Sequence, residues 1–222
     1  MEDTLPILKQ SALFYDIPEE ILRRDILPHG QMQEFSVGQH LLFPQQEVNR
    51  FSILLSGRVH LTHLFSDGSD SLMTVLTPAH VLGADLICTP TRRSPYHAIA
   101  AAPGRSVAFP ADLLLCPGAA EEAYRLTMLN HLLTLISNAN MKREYRLAIL
   151  SQKGLRERIL TYLTMQATKR QTSTFTIPFS REELASYLCV NRSALSHELS
   201  RMQQDGLISF RKNTFTLRSG GE

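Results

Sequence analysis

Residues 180–202 read SREELASYLCVNRSALSHELSRM, a spacing that predicts two short helices joined by a tight turn. Ser180 followed three residues later by Glu183 is a capping box, in which each side chain satisfies a free backbone N–H at a helix start. Leu184 and Leu188 share one face, with the small Ala185 beside them where a second helix can cross closely. Cys189 and Val190 occupy the turn, and Asn191 offers a second N-cap. Leu195, Leu199 and Met202 then follow at spacings of four and three, which turns Arg192, Ser193, Ser196, His197 and Ser200 outward. An outer face of one Arg, hydroxyls and a His, with Glu198 as its only acid, suits a helix lying in a DNA major groove. A plain helical hairpin with a solvated face has the same pattern, so the flanks must decide. Gly206 ends the second helix, and LISFRKNTFTL (207–217) reads as two short strands around Lys212-Asn213. A basic hairpin after a helix-turn-helix is the pattern of a winged module, and it favours DNA.

The charge is distributed to match. The net +2 of the 222-residue chain divides into 11 Lys/Arg against 6 Asp/Glu over residues 151–222, and 12 against 15 before them. The excess of positive charge therefore sits in the half that holds the helix pair, as phosphate binding requires. No apolar run reaches the length of a membrane span and the start, MEDTLPILKQ, is acidic, so a cytoplasmic protein with no membrane contact is expected. Cys88, Cys116 and Cys189 are odd in number and far apart, which signals neither a disulfide framework nor a metal site.

Upstream, LPILKQSALFYDIPEEILRRDIL (5–27) has helical spacing, with breaks expected at Pro6 and Pro18. From Gln33 the period changes. GQHLLFP, FSILLSGRVHLTHLF, SLMTVLT, HAIAAA and RSVAFP are short apolar runs separated by Gly and Pro turns, the signature of a small antiparallel barrel or roll. SDGSD (66–70) between two such runs predicts a hairpin. Between Ala119 and Ser151 there is neither Pro nor Gly, and Leu126, Leu129, Leu133, Ile136, Asn140, Arg143, Leu147 and Leu150 alternate steps of three and four. That is an a/d seam with a register-fixing Asn140, expected to pair with its twin in a homodimer; a helix packed within its own domain is the alternative. Gly154 breaks the pattern before another amphipathic helix, LRERILTYLTMQA. The expected fold class is α+β: a β-roll over 1–118, a dimerisation helix over 119–150 and a winged helix-turn-helix over 151–222.

This order of parts resembles the cyclic-AMP receptor protein and fumarate–nitrate regulator (CRP/FNR) family. The resemblance rests on FSREELASYLCVNRSALSHELSRMQQDGLI, on GQHLLF with ILLSGRVHL, and on LGADL followed by RRSPYHAIA. It implies a jelly-roll sensor like a cyclic-nucleotide-binding domain, a homodimer on an inverted-repeat operator in double-stranded DNA, and RNA polymerase as a partner, whether as activator or repressor. It implies that Ser180 and Arg181 meet phosphates and that Arg192, Ser193, Ser196 and His197 lie toward base edges, with Asn191, Arg201 and Lys212 completing the DNA-binding set. Where many members have a base-gripping Arg this chain has His197, which offers a base edge one hydrogen bond instead of two, so a different preferred site is expected. Cys189 stands where members often have Gly.

The sensor motifs fit less closely. Members that bind cyclic nucleotide use Gly-Glu for the ribose and Arg-Ser for the cyclic phosphate. Here Gly83 and Arg93-Ser94 fit, but Ala84 replaces the Glu and Asp85 comes one residue late. On the long helix Arg143 stands where such members meet the base. An effector other than cyclic AMP is expected, with a small anion or no effector left open. The iron–sulfur branch needs cysteines near the N-terminus, and none precedes Cys88; for the haem branch His80, Cys88 and His97 are the candidate axial ligands. No cofactor is therefore assigned. Nucleophile elbow, Gly-rich phosphate loop and HExxH are all missing, so catalysis is not expected. The rival from another class is a ligand-binding module that acts through protein contacts and carries a degenerate DNA-binding end.

Overall fold

The computed structural model describes residues 4–65, 70–118 and 121–218. Helix α1 (Leu5–Gln10) carries Pro6 in its first turn, where a missing N–H costs nothing, so the break expected there does not occur. Pro18 does end a segment, capping α2 (Glu19–Ile21), which winds on through a wider turn, Leu22–Ile26, and a tighter one, Leu27–His29. Eight strands follow: β1 (Gln31–Phe35), β2 (His40–Leu42), β3 (Arg50–Leu54), β4 (Arg58–Leu64), β5 (Asp70–Leu76), β6 (Val81–Leu82), β7 (His97–Ala102) and β8 (Gly104–Pro110). They form two four-stranded sheets of order β1-β8-β3-β6 and β2-β7-β4-β5, the expected roll, with antiparallel registers throughout those paired. The tip of the hairpin predicted at SDGSD lies outside the described residues.

Alternation places Val59, Leu61, Ala98 and Ala100 inside, where they meet Phe51, Phe109 and Phe14 in one apolar cluster. Leu113 and Leu114 of α3 (Asp112–Leu115) and Met128 and Leu132 of α4 (Glu122–Leu150) close that cluster. The N-terminal segment is tied to α4 by His131, whose Nδ1 lies 2.9 Å from the Leu13 carbonyl oxygen and whose Nε2 lies 3.2 Å from Asp16.

Cα packing divides the chain into two compact units, Met1–Gly68 with Met73–Asn140, and Ser69–Leu72 with Met141–Glu222. The second contains α5 (Leu155–Arg170), β9 (Thr174–Thr176), α6 (Arg181–Tyr187), α7 (Arg192–Gln204), β10 (Ile208–Arg211) and β11 (Thr214–Leu217). Gln171, in a left-handed conformation, stops α5 by returning its N–H to the Ala167 and Thr168 carbonyls. The sheet order β10-β11-β9 makes the wing. Ile159, Leu163, Leu184, Leu188, Leu195, Leu199, Met202 and Phe215 are buried here, each contributing about 1.5–3 kcal/mol.

Candidate nucleic-acid interface and sensor pocket

The capping box forms as the spacing predicts. The Glu183 N–H donates to Ser180 Oγ at 3.2 Å, and the Ser180 N–H donates to Glu183 Oε2 at 2.7 Å. Asn191 caps α7 by accepting the Ala194 N–H at 2.7 Å, and it also accepts the Ser193 hydroxyl at 2.8 Å. Between the helices the chain turns back through Cys189, at φ 56°, while the Val190 N–H donates to the Ala185 carbonyl. This is the left-handed corner at which glycine is the unstrained residue.

With Leu195, Leu199 and Met202 fully buried, Asn191, Arg192, Ser193, His197, Ser200 and Arg201 are exposed and Ser196 is half-buried. The thirteen residues of α7 span about 20 Å, enough to lie along a major groove about 12 Å wide. Glu198, the acid on this helix, is bound by Arg156 at 2.6 Å, with Arg201 at 3.8 Å. Arg156 also holds Asp205 at 2.7 Å, and both acids raise its pKa. The reading face thus has its only carboxylate neutralised from behind. Arg192 meets Glu182 only at 4.0 Å, with both side chains mostly exposed, a contact worth little.

Arg181 is placed differently from the other cations. Its guanidinium lies over Phe210 at 5.0 Å and Phe215 at 5.6 Å, and it donates to the Lys212 carbonyl at 3.2 Å. Burial, and then the charge of Arg192, lower its pKa. Lys212 is exposed at the two-residue tip between β10 and β11 with φ 52°, and Arg211 is exposed beside it. Sequence spacing did not single out Arg211 or Arg156. Arg211 belongs to a strand pattern whose basic tip was the visible signal, and Arg156 is revealed only by the fold that carries it to Glu198.

In the roll, Gly83 has φ +82° and a Cβ there would stand 3.3 Å from the Arg50 carbonyl oxygen, so the position is held to glycine. Ala84 is buried, and Asp85 accepts the Tyr96 hydroxyl at 3.2 Å. Ser94 is fully buried. Its hydroxyl donates to the Tyr96 carbonyl at 2.8 Å and accepts the Tyr96 N–H at 3.2 Å. Arg93 pairs through its backbone with Glu47 and is exposed, while Arg92 donates to Asn49 Oδ1 at 3.2 Å. Tyr96, which no sequence motif singles out, fills the interior at 2% exposure. Arg143 is exposed on α4 and belongs to the second unit. Among the described residues, no group of three or more His, Cys, Asp or Glu side chains is gathered as for a metal ion, and no helix is long and apolar enough to cross a membrane.

A two-sheet antiparallel roll, a long helix and a winged helix-turn-helix together make the architecture of a DNA-binding transcription regulator. The comparisons agree. The Crp-like helix-turn-helix domain family matches residues 157–219, and the cyclic nucleotide-binding domain family matches residues 32–115. The transcriptional activator protein FnrL of Cereibacter sphaeroides is 24% identical over 200 residues, covering 80% of this chain and 72% of that protein. The global nitrogen regulator of Synechococcus elongatus is 21% identical over 195 residues, covering 84% and 85%. The solved structure of the c-di-GMP-responsive global regulator CLP of Xanthomonas campestris aligns at a TM-score of 0.68 with 14% identity, over 89% of this chain and 98% of that one. The chain belongs to the CRP/FNR family of transcription regulators, whose members are regulators and not enzymes.

Proposed function

We propose that this regulator binds an inverted-repeat operator as a homodimer, under control from its β-roll by an effector other than cyclic AMP. The observation that carries the DNA reading is the two-sided character of α7. Its apolar side is fully buried, while Arg192, Ser193, His197 and Arg201 remain exposed around a neutralised Glu198. In this reading Ser180, Arg181 and Lys212 hold phosphates, and Asn191, Arg192, Ser193, Ser196, His197 and Arg201 face the groove. The dimer reading is supported by the α4 seam, where Leu126, Leu133 and Leu147 are more than half exposed in the single chain. The roll over 1–118, the helix over 119–150 and the reading module over 151–222 are the working division. RNA polymerase in the cytoplasm is the protein partner this mode of action requires.

Two features argue against cyclic AMP. The ribose acid is replaced by buried Ala84, and the hydroxyl of Ser94 is already committed to the Tyr96 backbone. Arg93, exposed, is the group left for an anionic effector, with Gly83 and Asp85 as the other candidate pocket positions of the roll. Selection of bound duplexes from random DNA, with and without native-cell extract, tests the whole reading. The expected product is an inverted repeat with half-sites about one helical turn apart, and an affinity that falls steeply with salt. Weak, salt-insensitive binding to every duplex would instead make the protein a module acting through protein contacts.

A further inference from the structure

His40 on β2 and His97 on β7 are separated by 57 residues in the chain, and the roll brings their Nδ1 atoms to 3.4 Å. Both are half-buried, while Leu42, beyond a bulge from His40, and Ala98, next to His97, lie in the core. At that separation one ring can make a long hydrogen bond to the other, its direction set by the tautomers. Two nitrogens bound at about 2.0–2.1 Å to one tetrahedral ion stand about 3.3–3.4 Å apart. The pair therefore has the spacing of two corners of a coordination tetrahedron.

One further observation points the same way. Phe43 stacks flat on His40, with ring centroids 4.6 Å apart and 2° between the planes, which holds that imidazole's orientation.

We propose that His40 and His97 chelate a borderline divalent first-row cation through their Nδ1 atoms, Zn2+ fitting the spacing best, with water completing the shell. The ion would pin β2 to β7 in the sensor sheet. Imidazole suits this class of cation, whereas hard cations such as Mg2+ favour oxygen over the two protein nitrogens offered here.

The test uses the full chain, stripped with a chelator and titrated calorimetrically with ZnCl2. One equivalent per chain is expected, together with a rise in melting temperature. His40→Asn and His97→Asn should each weaken uptake by more than about tenfold and abolish the thermal shift, while His29→Asn, at an exposed site, changes neither. Cu2+ in place of Zn2+ should show two imidazole nitrogens by electron paramagnetic resonance in the wild type, and one in either variant. Equal Zn2+ uptake by wild type and both variants, or an equal loss in His29→Asn, overturns the proposal. If a variant fails to fold, the wild-type copper spectrum decides, and fewer than two imidazole nitrogens there overturns it.

Discussion

The helix pair α6–α7 and the pocket region of the roll are built on opposite uses of polar side chains. In α6–α7 the polar atoms that shape the fold sit at the helix ends, as Ser180, Glu183 and Asn191, and Arg192, Ser193, His197 and Arg201 beyond them stay exposed. In the roll, Ser94 is turned inward and bonded to the Tyr96 backbone, and Asp85 accepts the Tyr96 hydroxyl, while Arg93 stands exposed. A surface kept free is ready for a partner without rearrangement. A hydroxyl already paired, like that of Ser94, must break its bond before it can serve a ligand.

The comparison can be broken most severely from within the reading unit. Leu199 is fully buried between the helices, so Leu199→Ala should cost about 2–5 kcal/mol, read as a lowered denaturation midpoint by circular dichroism. Arg192→Ala leaves stability alone and tests the free surface itself. On the operator recovered by selection it should lose about 1–3 kcal/mol and relax preference at one or two base pairs, measured by anisotropy with substituted duplexes. An equal loss on every duplex would move Arg192 from base reading to phosphate holding.

Smaller effects sharpen the contrast. Ser180→Ala removes the Oγ that accepts the Glu183 N–H, leaves the backbone N–H to Glu183 in place, and should cost about 1 kcal/mol of stability, with DNA affinity reduced alongside. In the roll, Tyr96→Phe deletes the bond to Asp85 and should lower stability by about 0.5–1.5 kcal/mol while operator affinity holds. If that variant instead gains a response to a small anion, the closed pocket was a resting state opened by losing one hydrogen bond. The smallest effect is favourable. Cys189→Gly relieves a left-handed corner and should raise stability by up to about 1 kcal/mol in thermal melts, since a side chain there is strained.

Local rules carry the second unit almost completely. Caps, the four-and-three leucine spacing, the stop at Gly206 and the two-residue wing tip all lie within a few residues of what they govern, so pattern reveals them. The strands of the roll are equally legible one at a time, but their partners are not. β8 joins β1 and β3, and β7 joins β2 and β4, pairings decided by long-range packing that no period encodes. For the same reason the Tyr96 plug, the Arg156–Glu198 pair and the meeting of His40 with His97 were invisible in a linear reading. Pro6 leaves α1 unbroken, against the expectation from its spacing, because proline breaks a helix only from the second turn onward.

Arg181 shows what such placement does for binding. An arginine free in water loses up to about 2 kcal/mol of rotamer entropy when a ligand immobilises it. This one is already immobilised, with its face on two phenylalanine rings and one N–H on a carbonyl at the wing tip. Most of that ordering is settled when the chain folds, so a phosphate arriving at its remaining N–H groups would meet a preset donor and not a flexible one.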